Sequence, residues 1–347
     1  MATTDEHRRP LLKRDEERVA VAPTALQAQE RRRRALKRAA AVAAAVLIVV
    51  LAGRMAVDNP TRFVLVAMNG LTLAGLYFLV ASGFTLVFGV MRVVNMAHGS
   101  YYLLGGYIGW STWAATGSWT LGVAAGGVAV ALIGALTREV LLRWVPAGEP
   151  LREALITIGI IIIVADQVVA HWGGRVRVLN PPEALAFSVE LPALAARYPA
   201  YRVFVFVSAI GVGLLLWLLL QRTKAGITIR AAVDDRYMLS ALGTNVNLLY
   251  TAVFTLGALL AGIAGVLGGT FSSLAIGVDG TFLLISLVIV ILGGMGSLGG
   301  AAIASVLVGL VDAFAATLHP QYAVLYVFVL LGVVLVLRPQ GLFGRAE

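Results

Sequence analysis

Long runs of apolar residues, separated by short polar stretches, extend over most of the chain. Because the hydrocarbon core of a bilayer takes roughly 20 mostly apolar residues per helix, each run of that length predicts a membrane-spanning helix. Ten such runs are centred on residues 39–57, 63–88, 96–115, 120–137, 154–172, 203–220, 248–269, 281–294, 298–317 and 322–337. The pattern therefore predicts an all-α, polytopic transmembrane helical bundle with about ten membrane spans.

The composition agrees with this pattern. Hydrophobic residues make up 59% of the 347 residues and charged residues only 13%, whereas soluble domains carry about 25% charged residues. The chain contains no cysteine, which excludes a disulfide framework, a thiolate metal site and a cysteine nucleophile. Most of the folded chain is therefore predicted to lie in lipid and not in water.

The net charge of +9 is concentrated at the amino end. Residues 1–38 are polar and aperiodic, which predicts a disordered basic tail. Its last basic residues directly precede the first apolar run, and such segments lie on the cytoplasmic side. The leading region is longer than that of an ordinary signal peptide, so we expect the run 39–57 to be retained as a helix. A nucleic-acid role is disfavoured, since no aromatic residues interleave the basic ones.

Arginine and lysine are distributed unequally between the connections. With the amino end in the cytoplasm, the predicted inner connections contain Arg92, Arg138, Arg143, Arg152, Arg222, Lys224, Arg230, Arg236, Arg338 and Arg345. The predicted outer ones contain fewer, namely Arg62, Arg175, Arg177, Arg197 and Arg202. This asymmetry predicts a transmembrane domain over residues 39–337, a cytoplasmic loop at 221–247 and a cytoplasmic carboxyl tail at 338–347.

The chain lacks a motif for nucleotide hydrolysis. Its three lysines, Lys13, Lys37 and Lys224, do not follow a glycine, so a phosphate-binding loop is absent. Residues 294–299 match G-x-G-x-x-G, but membrane helices flank them instead of a strand and a helix of a soluble βαβ unit. These glycines instead predict a sharp turn at the membrane edge or a closely lined cavity.

Polar residues inside apolar runs are candidates for function, because each costs free energy unless it faces a partner, water or the bundle interior. Asn95 and His98 lie three positions apart and would share a helix face. They would either form part of a solute pathway or gate, or make structural hydrogen bonds to neighbouring helices. Asp166 and Asp312 are the residues that an ion-coupled carrier would use, although pairing at the interface also explains them. The remaining candidates are Asn69, Thr72 and Gln167.

The inner loop contains one further pattern. Residues 228–243 predict a short amphipathic helix, in which Arg230 and Asp234 pair across one turn and Gly243 ends the helix. Such a helix would lie on the membrane surface or bind a cytoplasmic partner.

Five segments in this order resemble the branched-chain amino-acid permeases of ABC importers, over about residues 64–345. They are 69–77 (NGLTLAGLY), 88–99 (FGVMRVVNMAHG), 230–236 (RAAVDDR) with 241–243 (ALG), 292–300 (LGGMGSLGG) and 338–344 (RPQGLFG). The resemblance implies a multi-pass subunit of the bacterial plasma membrane, and the even number of predicted spans places both termini in the cytoplasm. It also implies a second permease, two ATPase subunits and an extracytoplasmic solute-binding protein as partners.

The resemblance assigns roles to residues and leaves alternatives open. A loop that docks on an ATPase would contain Arg230, Asp234, Asp235, Arg236, Leu242 and Gly243, and the translocation path or gate would contain Asn69, Asn95, His98, Gly99, Gly294 and Gly296. No catalytic, metal or cofactor residue is expected in this chain, because partner subunits would hydrolyse the ATP. The alternatives are an ion-coupled secondary transporter, a permease for urea or short amides, and a receptor-like or structural membrane protein.

Overall fold

The computed structural model describes residues 53, 55–145, 149–192 and 195–344. The predicted tail at 1–38 and most of the first predicted span lie outside the described residues. The other nine predicted runs all form helices: α1 (Pro60–Met91), α2 (His98–Thr116), α3 (Trp119–Leu136), α4 (Pro150–Trp172), α5 (Ala200–Arg222), α8 (Val246–Phe271), α9 (Val278–Gly293), α10 (Leu298–Leu318) and α11 (Ala323–Leu337). Two short helices of the inner loop, α6 (Lys224–Asp234) and α7 (Arg236–Ala241), lie between α5 and α8.

Seven apolar helical segments of the described chain are long enough to cross a membrane. They correspond to α1, α3, α4, α5, α8, α10 and α11. The segment of α3 continues through a π-helical turn (Thr137–Leu141) and a 3-10 turn (Leu142–Trp144). The segment of α11 begins with a 3-10 turn (Pro320–Tyr322). The helix α9 has only 16 residues, a length of about 24 Å at 1.5 Å per residue. The structure thus confirms a polytopic helical membrane protein.

Polar side chains fix several helix starts. The side chains of Asn59, Ser118, Asn245 and Ser297 accept from backbone N–H groups of the first turns of α1, α3, α8 and α10. Each bond satisfies a donor that the helix itself leaves free. Short polar residues between apolar runs therefore set the boundaries of the spans.

Helices α1 and α8 form the centre of the bundle. They pack on each other, α10 packs on α1, and α2 and α3 pack on α8. Glycines lie at these crossings: Gly83 contacts Gly257 between α1 and α8, and Gly105 contacts Gly262 between α2 and α8. Small residues allow backbones to approach closely in lipid, where packing replaces the hydrophobic effect between helices. Helices α4, α5 and α11 keep most of their surface exposed.

The outer segment between α4 and α5 contains a small hairpin. Strand β1 (Ser188–Leu191) pairs antiparallel with β2 (Ala196–Pro199), with Ser188 opposite Pro199. Upstream, Arg177 exchanges two backbone hydrogen bonds with Leu274, which lies between α8 and α9 (2.8 and 2.9 Å). The outer segment is thereby tied to the connection that leads into α9.

Candidate translocation site and coupling surface

Two irregular connections meet inside the bundle. Residues 92–97 join α1 to α2, and residues 272–277 join α8 to α9. The start of α2 touches the start of α9, because the backbone of Asp279 lies against Gly99 so closely that a Cβ on Gly99 would collide with the Asp279 carbonyl. Gly99 therefore allows two helix starts to meet backbone to backbone.

This junction lies level with the middle of the long helix α8, which would place it near mid-depth in a bilayer. On α2, Gly105 packs on Gly262, and Gly99 lies six residues earlier, about 9 Å along the helix axis. Gly99 is therefore level with the residues near 256–258, the middle of the 26-residue helix α8. The ring of Tyr101 next to it packs on Phe254 (6.2 Å between centroids). Irregular backbone at this depth is tolerated where it is buried in protein or lines a water-filled cavity.

Asn95 and His98 hold the first connection in place. Asn95 precedes α2 and does not share a helix face with His98, because α2 begins only at His98. The Asn95 Oδ1 atom accepts from the Ala97 N–H (3.1 Å), and His98 Nε2 lies 2.9 Å from the Val80 carbonyl oxygen of α1. Both side chains are buried. These hydrogen bonds support the structural interpretation of Asn95 and His98, in which both side chains hold neighbouring segments together. A role of the pair in the solute path or gate stays a prediction.

Asn69 lies in a polar cluster toward the outer end of α1. Its Oδ1 atom accepts from the Arg202 guanidinium of α5 and from the Tyr198 hydroxyl (3.2 Å), which also lies 2.9 Å from the Thr72 hydroxyl. Burial raises the pKa of Tyr198, so this phenol keeps its proton over the physiological range. The cluster ties α1, α5 and the outer hairpin together.

Gly294 and Gly296 lie in the turn between α9 and α10. Both have positive φ (97° and 80°), which glycine adopts without steric cost. Gly294 packs on the backbone of Gly344 and Gly296 on Gly89, so the carboxyl tail and α1 both touch the turn. The Leu342 and Phe343 N–H groups donate to the carbonyls of Leu292 and Gly293 (2.8 and 3.1 Å) and cap the end of α9. The prediction of a sharp turn is confirmed.

The inner loop differs from the single helix that we predicted. It consists of α6 and α7, with extended backbone at Asp235 between them (φ −151°, ψ 98°). The Asp235 carboxylate accepts from the Tyr237 and Met238 N–H groups (2.9 and 3.0 Å) and so starts α7 as a new helix. The Arg230 guanidinium donates to the Leu220 carbonyl and not to Asp234. The end at Gly243 (φ 82°) is confirmed.

Large side chains of α7 and of the residue that follows it, Leu242, point away from the bundle. Tyr237, Met238 and Leu242 are 74%, 59% and 76% exposed, whereas Leu239 is buried in the core. The Arg236 guanidinium lies over the Tyr237 ring, 4.9 Å from its centroid. We call Tyr237, Met238 and Leu242 with Arg236 the coupling surface.

The intramembrane carboxylates have different surroundings. Asp312 of α10 accepts a 2.5 Å hydrogen bond from the buried Tyr77 hydroxyl of α1, and exposed Asp166 lies 3.4 Å from Gln167 Nε2. Asp279 at the helix junction was missed from the sequence, because it lies between the predicted spans 248–269 and 281–294. Over the described parts of the chain, His, Asp and Glu form no cluster that could hold a metal ion.

A polytopic helical bundle in which two irregular connections meet between the helices is an architecture found among transport permeases. The chain belongs to the family described as branched-chain amino acid transport system, permease component, whose model matches residues 66–337. Its relatives are therefore transport components, and the chain is a multi-pass permease of this family.

Individual relatives match this chain over most of its length and over nearly all of their own. The chain is 29% identical over 294 residues to the high-affinity branched-chain amino acid transport system permease protein BraD of Pseudomonas aeruginosa (81% of this chain, 95% of BraD). It is 30% identical over 311 residues to LivH of Escherichia coli, which carries the same description (82% and 96%). No solved structure gives a significant match.

Proposed function

We propose that the chain is the transmembrane permease subunit of an ABC importer for branched-chain amino acids or related small polar solutes. It forms the translocation path with a second, homologous permease in the bacterial plasma membrane, with both termini cytoplasmic. Two ATPase subunits supply the energy, and an extracytoplasmic binding protein delivers the solute. The chain performs no chemistry on the solute and needs no cofactor of its own.

The coupling surface is the observation that carries this proposal. Exposed apolar side chains on a cytoplasmic loop are unfavourable in water, and a cluster of them with an arginine is typical of a protein–protein contact. The cap at Asp235 and the left-handed residue Gly243 hold α7 as a separate, defined element. Leu239 anchors it to the core. A force on α7 would therefore reach the bundle directly, as coupling to ATP hydrolysis requires.

The family fits this assignment and supplies the solute class. The descriptions of BraD and LivH name branched-chain amino acids, and we extend this class to the present chain. The lack of a phosphate-binding loop in the sequence fits an ATPase on separate polypeptides.

Affinity purification from native membranes tests the assembly. With a tag on this chain and mild detergent, we expect two ATPase copies and one further permease per complex, identified by mass spectrometry and native mass. Purification of the chain without an ATPase, although the same membranes contain it, would contradict the proposal.

A further inference from the structure

Helix α4 carries a carboxylate on an exposed face. Asp166 and Gln167 are both exposed, and the Gln167 Nε2 atom lies 3.4 Å from the Asp166 carboxylate. No salt bridge to Asp166 occurs within the described ranges of the chain. The nearby His171 ring contacts the Gln167 carbonyl oxygen through Nδ1 (3.0 Å) and not the carboxylate. Among the described residues, Asp166 therefore has no cationic partner.

Two hydrogen bonds fix the position of α4 along the bundle. The Met96 N–H, just before α2, donates to the Thr157 hydroxyl of α4 (3.3 Å). Near the other end of both helices, Trp172 Nε1 donates to the Ser111 hydroxyl (2.6 Å). The two contacts are the same number of residues apart on each helix, so α2 and α4 run side by side in the same direction.

This alignment places Asp166 deep in the membrane. Asp166 is level with Gly105 of α2, which packs on Gly262, and Gly262 lies about 5 Å from the middle of α8. The short side chain of an aspartate does not reach from this depth to the headgroups. An ionised side chain inside the hydrocarbon region is costly, and it usually faces a partner, the bundle interior or water.

The other weakly packed helices have different exposed faces. Helices α4, α5 and α11 all keep most of their surface exposed. From Val203 to Leu220 in α5, and throughout α11, every exposed residue is apolar, as a lipid-facing surface requires. On α4, exposed Ile162, Ile163 and Val169 surround the polar pair. An apolar helix face with a polar centre is typical of a contact between membrane helices.

We propose that the face of α4 around Asp166 is the contact with the second permease, whereas α5 and α11 face lipid. The partner helix places a hydrogen-bond donor or a positively charged side chain opposite the Asp166 carboxylate. This inference rests on the proposed function, because the second permease comes from it.

The charge on this face also favours a partner that is not a second copy of the chain. A two-fold axis along the membrane normal would keep α4 of both copies at the same depth. Two Asp166 carboxylates would then approach each other across the contact, and like charges in a region of low dielectric constant repel each other strongly. A different permease with a donor at this depth has no such penalty.

Site-specific photo-crosslinking tests the contact. With p-benzoylphenylalanine in place of Ile163, irradiation of native membranes that contain the whole transporter should join this chain to the second permease, as identified by mass spectrometry. The matched control is the same replacement at Ile210 of α5, which should give no such adduct. Ile163 and Ile210 are 61% and 57% exposed and lie about 13 and 15 Å from the outer ends of their helices.

Three outcomes of this experiment would overturn the proposal. They are no adduct at Ile163, an equal adduct with the second permease at Ile210, and an adduct that joins two copies of this chain.

Replacing Asp166 by leucine separates a protein contact from lipid exposure. If Asp166 faced lipid, Asp166→Leu would keep the second permease, because leucine is the more favourable residue in a membrane helix. The proposal instead predicts that the second permease recovered with the tagged chain falls about 10-fold or more, the effect of losing one charge-assisted hydrogen bond. The melting temperature of the chain alone in detergent should not fall, since no described hydrogen bond joins Asp166 to another helix.

The two proposals fail in different ways. Undiminished recovery of the second permease with Asp166→Leu would refute the contact at α4. Absence of any second permease from the wild-type complex would instead contradict the proposed function.

Discussion

Replacing Gly265 by alanine is expected to prevent normal folding of the bundle. A Cβ at this position of α8 would collide with the Tyr102 carbonyl oxygen and the Gly106 nitrogen of α2. Both are backbone atoms, so the strain cannot be relieved by a side-chain rotation, and the two helices must separate. Overpacking of this kind costs about 1–3 kcal/mol and more where the backbone cannot move. Size-exclusion chromatography and thermal unfolding in detergent would show less monodisperse protein and a lower melting temperature.

The control for this change is Gly211→Ala in α5. Gly211 also lies within a membrane helix, but a Cβ there meets nothing within 4 Å. Because alanine is the better helix former, this variant should be neutral or more stable by up to about 1 kcal/mol. Equal behaviour of the two variants would mean that α2 and α8 do not pack as closely as described.

The second large effect is expected at the coupling surface. Replacing Tyr237 and Leu242 together by glutamate removes two exposed apolar side chains and adds two charges, while the buried Leu239 and the cap at Asp235 remain. Hot-spot residues of an interface, among which tyrosine is enriched, cost about 2 kcal/mol or more when truncated, and two buried glutamates would add an unpaired-charge penalty. The double variant should therefore lose its ATPase subunits during purification and lose ATP-driven uptake, although the chain itself still folds and inserts.

Val189→Glu is the matched control for this loss. Val189 is an exposed apolar residue as well, but it lies on β1 of the outer hairpin. This variant should keep its ATPase subunits. If the Tyr237/Leu242 variant retained both the subunits and the coupled uptake, α7 would not be the docking element.

The spans were predictable because lipid imposes a simple requirement on length and polarity. The nine predicted runs that the structure describes all became helices, and the glycines of residues 294–299 form the expected turn. The positions of short caps, such as Asn59 and Ser297, also follow from local chemistry. These features depend on residues that are near in sequence.

The depth of the 272–277 connection and the break in the inner loop could not be predicted from the sequence. The connection at 272–277 resembles any outer loop in sequence, and only the contact of Gly99 with Asp279 shows that it enters the bundle. Asp235 appeared to lie inside one helix, because the periodic pattern continues across it, but its carboxylate caps the next helix instead. Asn95 was assigned to a helix because it lies at the start of the third predicted span, but α2 begins only at His98. The depth of the 272–277 connection depends on contacts between residues far apart in sequence, whereas at Asp235 and Asn95 a local hydrogen bond competes with a continuing helix.

Leucine uptake by purified components tests the central claim most directly. Proteoliposomes should contain this chain, the second permease and the ATPase subunits, with the binding protein outside and ATP inside. We predict leucine accumulation that requires both ATP and the binding protein and is unaffected by collapsing proton and sodium gradients. Accumulation by this chain alone, driven by an ion gradient without ATP, would contradict the account and identify an ion-coupled carrier.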